Sequence, residues 1–209
     1  MPTFKIIPCT EKGVRDGSEA IKNGAVVVFP TDTVYGIGCD PSNEAAVNRI
    51  FDIKGRDEKK ALPLLVYGIE DARKVVALGK NGELLAQKYW PGALTIIAPL
   101  IGGSELSPSM LAGSKTLGVR VPTGRCITLL LSKCRYLVGT SANISGKKSP
   151  VSAQEIIDSG LEGFQILLDG GRVEKGIEST IVDVTSGRVV REGAIKASEV
   201  NALLGSARR

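Results

Sequence analysis

The chain has 209 residues, 43% of them hydrophobic, and its 27 Lys and Arg against 22 Asp and Glu give a formal net charge of +5. This small basic excess is not the dense positive charge of a dedicated nucleic-acid binder. The sequence contains no histidine, which excludes Ser-His-Asp and Cys-His catalysis, histidine-ligated metals and an imidazole general base.

The four cysteines are Cys9, Cys39, Cys126 and Cys134. They form no Cys-x-x-Cys pair, which excludes a zinc ribbon and a thioredoxin-type motif. The first residues lack the pattern of a secretory signal, and no apolar run is long enough to span a bilayer. We therefore expect reduced thiols in a soluble cytoplasmic protein that has no membrane partner.

Short apolar runs alternate with helical patterns along almost the whole chain. The apolar runs predict strands over residues 25–29, 64–67, 94–97, 117–121, 137–139, 165–168, 180–184 and 188–191. The helical patterns predict helices over 43–51, 71–78, 83–90, 127–132 and 197–204, and a further helix from Ser152, which forms a capping box with Glu155. This interleaving predicts a single domain over residues 1–209, of the α/β or α+β class, with one mixed sheet flanked by helices.

Five polar segments lie where predicted strands end, which is where open α/β sheets bind ligands. In the first, residues 29–38, a strand runs into a turn that presents the hydroxyls of Thr31 and Thr33. An ordinary turn is the alternative interpretation.

The second segment places four cations within seven residues, between a predicted helix and a predicted strand: Lys54, Arg56, Lys59 and Lys60. Arginine can form two parallel hydrogen bonds to phosphate oxygens, and lysine supplies a positive charge on a flexible side chain. The cluster therefore suits a polyphosphate. A solvated charged surface is the alternative, and the neighbouring Asp57 and Glu58 partly neutralise the cluster.

In the third segment, Arg120 lies within an apolar strand pattern. A buried arginine is costly unless it meets an anion, so Arg120 is predicted to contact a carboxylate or a phosphate of a ligand. A structural ion pair with an acid of the protein itself is the alternative.

The fourth segment follows the predicted strand 137–139 with small polar residues, among them Thr140, Ser141, Asn143 and Ser149. Their hydroxyl and amide groups suit a nucleotide pocket. The segment is not a Walker A motif, because Ser141 stands where its first glycine is required. In the fifth segment Ser179 and Thr180 lead into a strand, and Arg191 ends the next one.

The order and combination of these segments resemble one known family. The residues that carry the resemblance are 30–36, 54–56 with Lys60 and Leu62, 90–95, 119–122, 141–143, and 178–183 with 191–193. In this order they are similar to the YrdC-like family, the threonylcarbamoyl-adenylate synthases, and the resemblance runs from about residue 5 to residue 204.

The resemblance implies a nucleotidyltransferase that converts L-threonine, bicarbonate and ATP into threonylcarbamoyl-AMP and diphosphate. This would be the first step of N6-threonylcarbamoyladenosine formation in tRNAs that read ANN codons. It further implies a twisted, mixed, open sheet around a large, positively charged cavity. Mg²⁺ would be bound on the ATP phosphates rather than by the protein directly. The implied partners are a downstream threonylcarbamoyl transferase and transiently bound tRNA or double-stranded RNA.

The resemblance also implies roles for individual residues. The implied threonine contacts are Thr33, Arg120, Gly139 and Ser179. The implied ATP contacts are Lys54, Arg56, Lys60, Thr116, Ser141, Asn143, Ser149 and Arg191, with Lys54 and Arg56 as the catalytic pair. The chain departs from the family at Ala61, where many relatives have proline, and at Leu65, where some have a histidine near the threonine.

Two alternative functions are weighed against this one. The first is an RNA-binding module, but the chain has only four Phe, four Tyr and one Trp from which to build base-stacking surfaces. The second is the carbamoyl-adenylate chemistry of hydrogenase-maturation carbamoyltransferases. Those proteins add an acylphosphatase-like segment and cysteine-rich zinc fingers, and nothing in this sequence resembles either.

Overall fold

The computed structural model of the chain describes residues 4–102 and 105–206, and its framework is two mixed β-sheets. In chain order the strands are β1 (Lys5–Pro8), β2 (Val27–Pro30), β3 (Tyr35–Gly38), β4 (Leu64–Val66), β5 (Leu94–Pro99), β6 (Thr116–Arg120), β7 (Tyr136–Val138), β8 (Thr140–Ser141), β9 (Ile166–Asp169), β10 (Thr180–Asp183) and β11 (Arg188–Arg191). The helices are α1 (Glu11–Lys22), α2 (Glu44–Lys54), α3 (Ile69–Val75), α4 (Gly79–Tyr89), α5 (Pro108–Leu111), α6 (Arg125–Cys134), α7 (Ala153–Asp158) and α8 (Ala197–Ser206).

The first sheet has the strand order β1-β9-β2-β3-β8, and the second has the order β11-β10-β5-β6-β4-β7. Both combine parallel pairs, such as β1 with β9 and β10 with β5, and antiparallel pairs, such as β2 with β3 and β5 with β6. The predicted α/β class is therefore confirmed, whereas the prediction of one sheet is wrong. Apolar runs locate strands but do not say which strands pair, so the division into two sheets was not visible in the sequence.

The central strand β2 faces apolar residues on both sides, because successive side chains of a strand point to opposite faces. Val28 belongs to the main core, whereas Val27 and Phe29 belong to a second cluster beneath α1 and α6. All residues of β2 are buried, which explains why its sequence is a continuous apolar run rather than an alternating one.

The sequence did not predict β1, α1, β3, α5 or β8. Helix α1 contains Gly13 and Gly17, which disfavour a helix but lie on its buried face. A side chain at Gly13 would overlap the carbonyl oxygen of Pro8, so the close approach of α1 to the end of β1 requires glycine there. By contrast, the predicted N-cap of α7 is confirmed, since Ser152 Oγ accepts from Glu155 N at 3.2 Å. The return bond of the capping box differs, because Glu155 Oε2 accepts from Val151 N at 2.9 Å rather than from Ser152 N.

The prediction that all four thiols are reduced is wrong for one pair. Cys9 and Cys126 form a disulfide with an S–S distance of 2.00 Å and a Cα–Cα distance of 5.8 Å. They are 117 positions apart in the sequence, and the packing of α1 against α6 brings them together. Cys39 and Cys134 are free thiols. Within the described residues, no helix has both the length and the apolar composition needed to cross a membrane.

Candidate functional site

A cavity of about 350 Å³ is lined by residues of both sheets. Eight of the predicted site residues line it: Thr33, Arg56, Thr116, Arg120, Gly139, Ser141, Ser179 and Arg191. The other four, which are Lys54, Lys60, Asn143 and Ser149, are not among its lining residues. A second cavity of about 520 Å³ contains none of the predicted residues, so the first is the candidate site.

Gly139 lies at the junction of the two sheets, between β7 in the second sheet and β8 in the first. Its N–H donates to Pro63 O at 3.0 Å, and a side chain at this position would overlap Leu65. Leu65 therefore packs directly on this glycine.

Arg120, at the end of β6, is 6% exposed and lines the cavity. Its Nε donates to Gly92 O at 2.9 Å, its Nη1 to Thr33 Oγ1 at 3.0 Å, and its Nη2 to Asp32 Oδ1 at 2.6 Å. Burial lowers the pKa of Arg120, and the charge of Asp32 opposes that change. The ion pair proposed as the alternative therefore exists. These bonds use three of the five N–H donors of a guanidinium group, which leaves two that can bind an anion.

Asp32 is a site residue that the sequence did not single out, although it lies in the hydroxyl-rich turn after β2. Its Oδ1 also accepts from Thr123 N at 3.1 Å. Its Oδ2 is buried and accepts no hydrogen bond from the described residues, and Lys175 Nζ lies 3.7 Å away. Asp32 thus fixes the guanidinium of Arg120 from one side.

Two pairs of hydroxyl groups lie on the cavity wall near Arg120. In the first, Thr31 Oγ1 and Thr33 Oγ1 are 3.0 Å apart, and Thr31 also donates to Val34 O at 2.7 Å. In the second, Thr95 Oγ1 and Ser179 Oγ are 2.8 Å apart. Thr95 lies on β5 and ends the segment 90–95 that carries part of the family resemblance, but no role was predicted for it.

Lys54 ends α2 and is buried behind the cavity rather than in its wall. Its Nζ donates to Ser141 O, to Asn143 O at 2.7 Å and to Asn143 Oδ1 at 3.4 Å. Burial lowers the pKa of Lys54 to about 8, the charge of Arg56 lowers it further, and Glu178 opposes both. Lys54 therefore ties α2 to the polar loop after β8, and its predicted catalytic role stays a prediction.

Arg56 follows the left-handed Gly55 that ends α2, and its side chain lines the cavity. Its Nε donates to Lys60 O at 3.2 Å, and its Nη2 donates to Ala61 O at 3.1 Å. These bonds fold the basic segment back on itself and hold the guanidinium in place. Burial lowers the pKa of Arg56. Lys60 itself is exposed.

Ser149 and Arg191 both donate to one carboxylate, that of Glu178. Glu178 accepts hydrogen bonds from Ser149 Oγ at 2.5 Å and from Arg191 Nη1. Arg191 Nη2 also donates to Ser179 O at 2.9 Å. Burial acts to raise the pKa of Glu178, but hydrogen bonds from Ser149 and Ser141 and the charges of Arg191 and Lys54 lower it overall. The sequence placed Glu178 inside a motif without giving it a role.

Two further predicted ATP contacts have local partners. Thr116 Oγ1 lies 3.1 Å from Ser114 Oγ, and both residues line the cavity. Asn143 Nδ2 donates to Ile144 O at 3.0 Å and to Lys147 O at 2.6 Å, so its amide holds the loop after β8 in shape. The predicted ligand contacts of both residues stay predictions.

The fold and cavity define an α/β domain that presents three arginines, one glutamate and several hydroxyls to a ligand between two sheets. Residues 19–193 match the model of the Sua5/YciO/YrdC family, which is described as "Telomere recombination". The chain belongs to this family.

Named relatives agree with that assignment. A threonylcarbamoyl-AMP synthase of Pyrococcus abyssi is 34% identical over 200 residues, covering 93% of this chain and 58% of that protein. A threonylcarbamoyl-AMP synthase of Thiobacillus denitrificans is 31% identical over 186 residues, covering 87% of this chain and 97% of that protein. The chain thus spans less than three fifths of the first relative, and it likewise spans 56% of a Bacillus subtilis threonylcarbamoyl-AMP synthase.

Solved structures show the same fold. P. abyssi Sua5 complexed with L-threonine has a TM-score of 0.88 at 31% identity, covering 98% of this chain and 61% of that chain. E. coli YciO has a TM-score of 0.81 at 23% identity, covering 92% of this chain and 96% of that chain, a likeness of fold alone.

Proposed function

We propose that the chain is an L-threonylcarbamoyladenylate synthase, which converts L-threonine, bicarbonate and ATP into threonylcarbamoyl-AMP and diphosphate. The single observation that carries this proposal is the cavity itself, whose lining offers two sets of groups. The buried guanidinium of Arg120 and the paired hydroxyls suit an amino acid. Arg56, Arg191 and Ser141 suit a polyphosphate.

The names of the relatives support the same reaction. Proteins named threonylcarbamoyl-AMP synthase match nearly the whole chain, and the related Sua5 of P. abyssi was crystallised with L-threonine. We assign threonine to the part of the cavity wall formed by Thr33, Arg120, Gly139 and Ser179. There the two unused N–H donors of Arg120 would bind the carboxylate of the amino acid.

The chemistry requires no imidazole. The amine of threonine adds to bicarbonate with loss of water, which gives a carbamate. A carbamate oxygen then attacks the α-phosphorus of ATP, the bond from that phosphorus to the bridging oxygen breaks, and diphosphate leaves with the bond's electron pair. Positioning and cationic stabilisation of phosphate charge carry most of such a transfer. A chain without histidine can therefore catalyse it.

The nucleotide contacts divide into two groups. Arg56, Thr116, Ser141 and Arg191 line the cavity and would bind ATP directly. Lys54 and Asn143 hold the loop after β8, Ser149 is bonded to Glu178, and Lys60 is exposed and does not line the cavity. We propose a positive potential in this part of the cavity.

Mg²⁺ would accompany the nucleotide and neutralise phosphate charge. No group of three acidic, cysteine or histidine residues that could hold a metal ion occurs within residues 4–102 and 105–206. The side-chain oxygens at the cavity that could coordinate Mg²⁺ belong to hydroxyls and to one carboxylate. This fits an ion that is held mainly by phosphate oxygens and water. We also propose that the protein acts in the cytoplasm, hands its product to a threonylcarbamoyl transferase and contacts tRNA only transiently.

The decisive experiment is diphosphate release from ATP, with threonine and bicarbonate omitted in turn. The proposal predicts that omission of either substrate abolishes release and that mass spectrometry detects threonylcarbamoyl-AMP in the complete reaction. Arg56→Ala should mainly lower kcat, and Arg120→Ala should mainly raise the KM for threonine. Arg73→Ala is a suitable control, since Arg73 pairs with Glu70 and Glu83 on the exposed surface. Diphosphate release that did not depend on threonine would contradict the proposal.

A further inference from the structure

Glu178 stands out in the cavity because of its charge. Among the described residues that line the cavity, it is the one acid, beside three arginines. Both of its carboxylate oxygens are engaged, Oε1 by the Ser149 hydroxyl at 2.5 Å and Oε2 by the guanidinium of Arg191. The proposed function assigns Arg191 to ATP, and Ser149, which does not line the cavity, is an ATP contact that the family resemblance implies. The carboxylate of Glu178 therefore occupies donors that a phosphate group could use.

The main chain of Glu178 is fixed by packing and a hydrogen bond, whereas its side chain is held only through its carboxylate. Glu178 O accepts from Ala194 N at 2.9 Å, and a side chain at Gly193 would overlap this same carbonyl oxygen. The side chain of Glu178 is 31% exposed and that of Arg191 is 42% exposed, so both reach solvent. Rotation of the glutamate side chain alone could therefore vacate the two donors without moving β10 or β11.

We propose that Glu178 is an internal anion that holds Ser149 and Arg191 in place and is replaced there by the polyphosphate of ATP. This inference rests on the proposed function and deepens it, because it names the residue that sets nucleotide affinity. A carboxylate and a phosphate next to each other repel, so ATP must displace Glu178 from its donors. The same competition lowers affinity for the diphosphate product and assists its release.

The test is to measure binding of two probes, Mg²⁺-ATP and metal-free inorganic tripolyphosphate, by calorimetry. Glu178→Gln removes the negative charge and keeps the shape, and Ser149 can still donate to the amide oxygen. The Glu178→Gln variant should bind both probes at least about tenfold more tightly than the wild type, because a repulsive charge has been removed. Glu83→Gln is the matched control, because Glu83 also pairs with an arginine and is similarly exposed but does not line the cavity, and it should leave both affinities unchanged.

A second variant separates charge from contact. Glu178→Asp keeps the negative charge, so its affinities should stay closer to the wild-type values than to those of Glu178→Gln. Thermal unfolding of each variant verifies that the fold is kept. Equal tightening in both variants would overturn the inference, because loss of the contact rather than of the charge would then be the cause.

The remaining outcomes are equally decisive. Unchanged or weaker binding of both probes to Glu178→Gln would overturn the inference and identify Glu178 as a group that orients Arg191. Weaker binding of Mg²⁺-ATP together with tighter binding of tripolyphosphate would overturn it in favour of a ligand to the metal. In both cases the wild type binds ATP, so the proposed function survives. Wild-type protein that bound neither probe would overturn both proposals.

Discussion

The buried ion pair between Asp32 and Arg120 can be tested by removing its two charges separately and together. The side chains are 7% and 8% exposed, and Nη2 lies 2.6 Å from Oδ1. Removing one partner of a buried pair leaves an uncompensated charge and typically costs about 3–5 kcal/mol. We expect Asp32→Asn to lower the free energy of unfolding by about 3 kcal/mol, near the lower limit, because the asparagine oxygen can still accept from Arg120.

Arg120→Met should cost less than Asp32→Asn. It leaves Asp32 with the Thr123 N–H and with Lys175, whose Nζ is 3.7 Å from Oδ2, and a carboxylate can also bind a proton. The double variant, which buries neither charge, should be more stable than the sum of the single losses predicts, by about 1–3 kcal/mol.

Urea unfolding of the four proteins measures these differences, provided that the dependence on urea concentration stays constant. In a chain of 209 residues, a loss of about 3 kcal/mol corresponds to a fall in Tm of about 6–12 °C. Strictly additive losses in the double variant would refute the claim that the two charges stabilise each other.

Three further predictions concern other parts of the structure. Gly139→Ala should cost about 1–3 kcal/mol because the new methyl group overlaps Leu65, and this cost should nearly vanish when it is measured in a Leu65→Ala background. Reduction of the Cys9–Cys126 disulfide, which joins residues 117 positions apart, should lower the free energy of unfolding by up to about 4–5 kcal/mol, and a Cys9→Ser, Cys126→Ser variant should not respond to the reductant. The folded-state pKa of Lys54 is about 8, below its ordinary value of 10.5, so between these values the unfolded chain binds more protons and stability due to this group rises with pH. The free energy of unfolding of the wild type relative to Lys54→Met should therefore increase from pH 8 to pH 10, and a decrease would contradict the assignment.

The parts of the fold that could be predicted from the sequence are those whose signal is local. The buried strands β2 and β5 are continuous apolar runs. The start of α7 is marked by Ser152 and by Glu155 three residues later. Helix α1 was missed because its two glycines are explained only by its packing on two strands, Gly13 on β1 and Gly17 on β9. The disulfide and the division into two sheets depend on pairings between distant segments, which local patterns do not record.

The candidate site shows the same distinction. Arg120 was found because an arginine within an apolar strand is unusual, and it is indeed buried at the cavity. Its partner Asp32 and the central Glu178 were not assigned roles, because an acid in a turn is ordinary until its neighbours are known. Lys54 belongs to the basic cluster in the sequence, but its amine points to carbonyl oxygens of the loop after β8.

The passage of the chain through Gly139 limits how the protein can capture a ligand. A single residue separates β7 in one sheet from β8 in the other, and Val138 N and Ala142 N donate to Cys39 O and Tyr35 O on the first sheet. Opening the two sheets at Gly139 would break the hydrogen bond from Val138 N to Cys39 O. We therefore expect adaptation to substrates of different size to come from side-chain rotation and from the segments that carry no regular structure.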